Sequence, residues 1–88
     1  MNITRETFTK ILVDAYLQTM DGLDRKTLTK CVETVTKDFD IGWLNSIEIG
    51  LDDVLAEIIS GYQIAVYDCY KELLLNKINV YQFNSWFY

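Results

Sequence analysis

The chain has no histidine and no proline. Without histidine it lacks the side chain most used for proton transfer and for transition-metal ligation near neutral pH. Without proline, nothing in it forbids long helices. Cysteine is reduced to Cys31 and Cys69, with no CxxC spacing, which leaves neither a zinc site nor a disulfide framework. Both stand where a helical pattern takes a small apolar residue, so both are expected as buried thiols in a reducing, cytoplasmic compartment. The opening MNITRETFTK has no long apolar stretch of the signal-peptide kind. The longest charge-free runs, IISGYQIAVY and INVYQFNSWFY, are short and carry polar groups, well under the roughly 18 apolar residues of a membrane span. No Gly-x-x-x-x-Gly-Lys, Gly-x-Ser-x-Gly or Cys-His pairing is present. An enzyme, a cofactor and a resident metal are therefore not expected.

What is present is apolar patterning at helical spacing. The 88 residues are 50% apolar, enough for one core, so residues 1–88 are expected as a single helical domain. Four places carry a hydrophobic staple, in which an apolar residue, a capping residue and an apolar residue four further on mark a helix start. They are Ile3, Thr4 and Phe8; Leu23, Asp24 and Leu28; Phe39, Asp40 and Leu44; and Ile78, Asn79 and Phe83. A first helix is predicted from Arg5 to Met20, with Phe8, Ile11, Leu12, Ala15 and Tyr16 inward and Gly22 after its end. A second runs from Arg25 to Lys37, on the stripe Leu28, Cys31, Val32, Val35 and Phe39.

From Leu44 to Leu73 one stripe keeps register through Ile47, Leu51, Val54, Leu55, Ile58, Ile59, Tyr62, Ala65, Val66 and Cys69. A single unbroken helix from 41 to 75 would span roughly 52 Å against about 30 Å for a globule of this size, so a break is predicted at Gly50. The result is a short helix over 41–49 and a long one near residues 51–75, with Gly61 inside it for close helix packing or a bend. The tail VYQFNSWFY is predicted to close as a short helix or as an aromatic strand, and the fourth staple favours helix. The fold class is thus all-α, a small bundle of four to five helices. A stripe longer than a small monomer easily covers also predicts a homodimer.

Charge is unevenly spread. Residues 1–37 hold six basic and five acidic side chains, whereas residues 38–70 hold no basic side chain and seven acidic ones, Asp38, Asp40, Glu48, Asp52, Asp53, Glu57 and Asp68. If the segment is helical throughout, Glu48 and Asp52, and Asp53 and Glu57, stand four apart and repel by a few tenths of a kcal/mol per pair, on the order seen for like charges at that spacing. A plain account is a solvated face that lacks lysine. The functional account is an acidic docking surface for a positively charged protein, a nucleic-acid-binding protein or a defence nuclease among them, approached as DNA mimics approach phosphate-binding grooves. A magnesium or calcium site at Glu48, Asp52, Asp53 and Glu57 lacks the D-x-[DN]-x-[DN]-G loop and the Glu-x-x-His motif. Direct nucleic-acid binding is excluded because the helix after Asp40 carries no Lys or Arg and would repel phosphate.

Aromatic residues supply the remaining candidates. Trp43 lies beside the acids, and Trp86, Phe87 and Tyr88 end the chain as either core-closing residues or interface anchors. Size, acidity and the Ile, Lys, Tyr and Asn usage fit a small phage or mobile-element inhibitor of a host machine, acting in the host cytoplasm. The alternative is a structural or regulatory subunit whose long helix forms a homo-oligomer.

Overall fold

The structure, a computed structural model, describes the backbone of residues 2–87 and the side chains of residues 2–75. Four helices follow one another, with no strand among the described residues: α1 (Arg5–Thr19), α2 (Arg25–Val35), α3 (Ile41–Asn45) and α4 (Leu51–Phe87). The all-α bundle with one long helix is present. Three of the four staples start helices by the same chemistry. The side-chain oxygen of Thr4 accepts from the Thr7 N–H at 3.1 Å, that of Asp24 from Thr27 at 2.9 Å, and that of Asp40 from Trp43 at 3.2 Å. Each cap satisfies a first-turn donor and contributes about 1 kcal/mol.

The fourth staple starts nothing, because the backbone of α4 passes through Asn79 as uninterrupted helix. A cap acts only where the chain enters a helix from a non-helical segment. From Tyr62 to Ile78 there is neither glycine nor proline to end α4, and extending a helix is far easier than nucleating a new one. The staple side chains themselves lie outside the described residues. The globular-diameter limit fails for the same reason: the molecule measures 57 × 23 × 17 Å, and its long dimension matches the roughly 55 Å of a helix as long as α4.

Two glycines punctuate the chain where expected. Gly22, after α1, has φ +79°, and Gly50, before α4, has φ +75°, a region that strains any residue with a Cβ. Both α2 and α3 end earlier than their apolar stripes suggest. At the end of α2 the Arg5 guanidinium donates to the carbonyls of Thr36 (2.7 Å) and Phe39 (2.6 Å), and the Thr36 hydroxyl donates to Val32 O at 2.6 Å. The Phe39 N–H then closes a tighter turn on Thr36 O at 3.0 Å instead of reaching Val35 O, and Arg5 holds the carbonyls of that turn. In α3 the Ser46 backbone N–H closes on both Gly42 and Trp43 carbonyls and its hydroxyl donates to Trp43 O, so the chain turns well before Ile49.

Helices α1 and α2 pack on each other and both pack on α4. Their shared core holds Phe8, Leu12, Val13 and Tyr16 of α1, Leu28, Cys31 and Val32 of α2, Leu44 of α3, and Val66 and Tyr70 of α4. Polar bonds pin the same elements together. The Tyr16 hydroxyl donates to Ile59 O, the Asp24 N–H donates to the Tyr70 hydroxyl at 2.8 Å, and Ile3 and Asn45 exchange two bonds of 2.7 and 3.0 Å.

The inward assignments need four corrections. Ile11 and Ala15 are only half-buried, while Thr9 and Val13 go inside, because the buried face of α1 is rotated slightly toward α2. Ala65 is exposed. Cys31 is fully buried but Cys69 is only partly so, since it lies at the rim of the α2–α4 contact. Gly61 is exposed, and a Cβ built there meets no atom within 4 Å, so it serves no close packing among the described residues.

Candidate docking face

The acidic segment 38–57 is held by the aromatic and polar anchors of the bundle. Phe39 stacks on Phe8 with ring centroids 4.8 Å apart and meets Tyr62 of α4 edge-on at 6.3 Å. Trp43 lies edge-on to Phe39 at 6.2 Å. One side of the indole is thereby fixed while 51% of the residue remains exposed. With Arg5 on the carbonyls of Thr36 and Phe39, this fixes the base on which Asp38, Asp40 and Trp43 stand.

Asp38, Asp40, Glu48, Asp52, Asp53, Glu57 and Asp68 are all exposed. Their positions split them by role. Asp40 caps α3. Asp52 and Asp53 occupy the first turn of α4, where carboxylates meet the positive end of the helix dipole and contribute about 0.3–1 kcal/mol each. That supplies a stability reason for two acids which spacing alone makes look like a pure liability. Glu48 lies in the turn before α4, so the supposed helical repulsion between Glu48 and Asp52 does not arise; Gly50 breaks the helix between them. Asp53 and Glu57 do share a face of α4, with Asp52 about 100° to one side of Asp53. The carboxylates therefore form a patch over the α3–α4 turn and the start of α4, not a regular ladder. Asp68 stands about 11 residues further along α4, on its outer side. Trp86, Phe87 and Tyr88 lie outside the described side chains.

Sequence patterning gave no sign of Ile49. It is the most exposed large apolar residue described, at 91%, between Glu48 and Gly50 in the α3–α4 turn. The signal available was its lack of any place in the stripe that runs from Leu44 through Ile47 to Leu51. Beside it, Asn45, Ser46, Ile47, Glu48 and Leu51 line an open hollow. The patch thus combines two apolar projections, Trp43 and Ile49, with carboxylates around them. Among the described residues no three acidic or cysteine side chains converge in a way that could hold a metal ion.

A second recess lies between α1 and α2, lined by Arg5, Glu6, Thr9, Lys10, Val13, Arg25, Thr29 and Glu33. Its two guanidiniums are already engaged, Arg5 with backbone carbonyls and Arg25 with Asp14 at 2.9 Å. In the core, burial and a hydrogen bond to the Cys69 sulfur push the Cys31 thiol up to about 12, and burial pushes the Tyr16 phenol up to about 12, so both stay protonated and inert at neutral pH. Among the described residues no helix is long and apolar enough to cross a membrane. Set against known protein families, curated proteins and solved structures, the chain matches none.

Proposed function

We propose that the chain is a protein-binding module, an inhibitor or regulator, that docks the patch around the α3–α4 turn on a lysine- and arginine-rich protein surface of the kind that binds nucleic acid. The observation that carries this reading is the combination at one end of the bundle of half-exposed Trp43 and almost fully exposed Ile49 with Asp38, Asp40, Glu48, Asp52 and Asp53, in a stretch without a single cation from residue 38 to residue 70. Exposed aromatic and aliphatic side chains of this kind supply the short-range anchors of an interface. The surrounding charge raises the association rate and selects a basic partner. Trp43 is suited to the anchoring role because its contact with Phe39 already orders the ring.

The test is capture from a cell lysate at low salt, with the retained proteins identified and compared between the wild type and the variant Asp38→Asn/Glu48→Gln/Asp53→Asn, which leaves the Asp40 cap in place. The wild type should retain basic proteins that salt or added duplex DNA releases, and the variant should retain at least about tenfold less. Trp43→Ala should weaken the same complex without changing its salt dependence. Equal retention of the same proteins by wild type and variant would refute the docking role.

A further inference from the structure

The outer side of α4 carries a second surface, which meets the docking patch at Glu57 and faces away from the core. Val66 and Tyr70 point into the bundle, at 0% and 6% exposure, while Ile64, Tyr67 and Leu74 point out at 75%, 41% and 42%. With Glu57 and Lys71 these outward residues follow the spacing 57, 64, 67, 71, 74, the seven-residue rhythm of a helix that pairs with another helix. Met20 borders Ile64 and Tyr67 across an open hollow, and among the described residues it leaves both of them exposed.

Two further features say what does. The first is charge. Along this face Glu57 stands seven residues before Ile64 and Lys71 seven residues after it. A second copy laid antiparallel and crossing at Ile64 brings each Glu57 to the height of Lys71 of the second copy, twice over by symmetry. A parallel copy would stack Glu57 on Glu57, Asp68 on Asp68 and Lys71 on Lys71. Lys71 is already ordered for this, its Nζ resting 4.7 Å from the centroid of the Tyr67 ring. The second feature is Gly61, less than one turn before Ile64. A glycine inside a helix costs about 1 kcal/mol relative to alanine, and among the described residues nothing uses the space it leaves. Bare backbone at that point lets a second helix come closer to the Ile64 crossing.

We infer that two copies of this chain associate antiparallel through the outer face of α4, with Ile64 at the two-fold axis, Tyr67 and Leu74 flanking it, and Glu57 paired with Lys71 of the second copy. The isologous arrangement places the same patch on both chains, as a two-fold dimer requires.

Sedimentation equilibrium of the full chain tests this without any other partner, so its outcome is independent of the docking proposal. The wild type should sediment at twice the 10.3 kDa chain mass at tens of micromolar. Ile64→Glu should weaken association at least about a hundredfold by setting two carboxylates at the axis, with helical content by circular dichroism unchanged. Glu57→Lys and Lys71→Glu should each weaken it about tenfold, and the double variant should restore it. A monomer at all concentrations, or a dimer indifferent to Ile64→Glu, would overturn the inference. Failure of the double variant to recover would overturn the antiparallel register.

Discussion

Helices α2 and α4 pack against each other and dispose of their apolar residues in opposite ways. In α2, Leu28, Cys31 and Val32 are completely buried and no large apolar residue is exposed. In α4, only Val66 and Tyr70 reach that burial among the described residues; Leu51, Val54, Leu55, Ile58, Ile59 and Tyr62 are half-covered, and Ile64, Tyr67, Leu74 and Leu75 face outward. The contrast separates residues that hold the fold from residues left free for other contacts. α2 is satisfied within its own chain. α4 serves as a spine, with one side closing the core and the other side unspent.

The largest expected effect tests that division directly. Leu28→Ala should destabilise the chain by about 3 kcal/mol, since it removes a fully buried side chain and leaves a cavity that the helix backbones cannot close. Ile64→Ala, the same kind of truncation on the outer side of α4, should change stability by no more than about 0.5 kcal/mol. Urea unfolding at low protein concentration, where self-association does not contribute, measures both. Comparable losses for the two variants would dissolve the distinction between the faces.

A second test sharpens the comparison at the junction of the core with α4. The Tyr16 hydroxyl donates to Ile59 O and the free Cys31 thiol is hydrogen-bonded to the Cys69 sulfur, and burial keeps both groups protonated, pushed up to about 12 from ordinary values of 10.0 and 9.0. The native state therefore keeps protons that the unfolded chain releases. Stability from these groups is complete below pH 9 and is lost progressively as pH rises from about 9 to about 12, because the unfolded state binds fewer protons over that range. The denaturation midpoint should fall across this window, and Tyr16→Phe, which has no proton to lose, should fall less steeply. A slope unchanged by Tyr16→Phe would show that the α1–α4 junction is not the source of alkaline lability.

Much of this architecture was legible in the sequence. Three caps, the stop after α1 and the break at Gly50 could all be read because each depends on a few adjacent residues whose local chemistry the rest of the fold does not override. The end of α2 could not, because the turn that follows it is held by Arg5, 31 residues away from Thr36. The start signal at Asn79 misleads because a cap acts only after the preceding helix has stopped, and nothing stops α4 before it. At the docking patch, composition located the acids but not their arrangement. Glu48 and Asp52 have helical spacing, yet Gly50 separates them, and Ile49 belongs to no apolar stripe, so periodicity carries no information about its exposure.

The smallest expected effect concerns the meaning of the acids at the start of α4, where the contrast with α2 recurs in charge: α2 has no acidic residue in its first turn, and α4 has Asp52 and Asp53 there. On composition alone, lysine at these positions would relieve a uniformly acidic stretch and stabilise the chain slightly. Their placement in the first turn predicts the reverse. Each carboxylate faces unpaired backbone N–H groups and the positive end of the dipole, so Asp52→Lys/Asp53→Lys replaces two favourable terms of about 0.3–1 kcal/mol with two unfavourable ones. Relief of the repulsion between residues 53 and 57 returns only about 0.2–0.5 kcal/mol, so the helix-end term wins. The double variant should be less stable by about 1–2 kcal/mol in low salt, and part of that loss should disappear in molar salt as the dipole is screened. Asp52→Asn/Asp53→Asn should lose less than half as much. If the lysine variant proves more stable than the wild type, the first-turn role is wrong and the two acids are retained only for what they meet outside the chain.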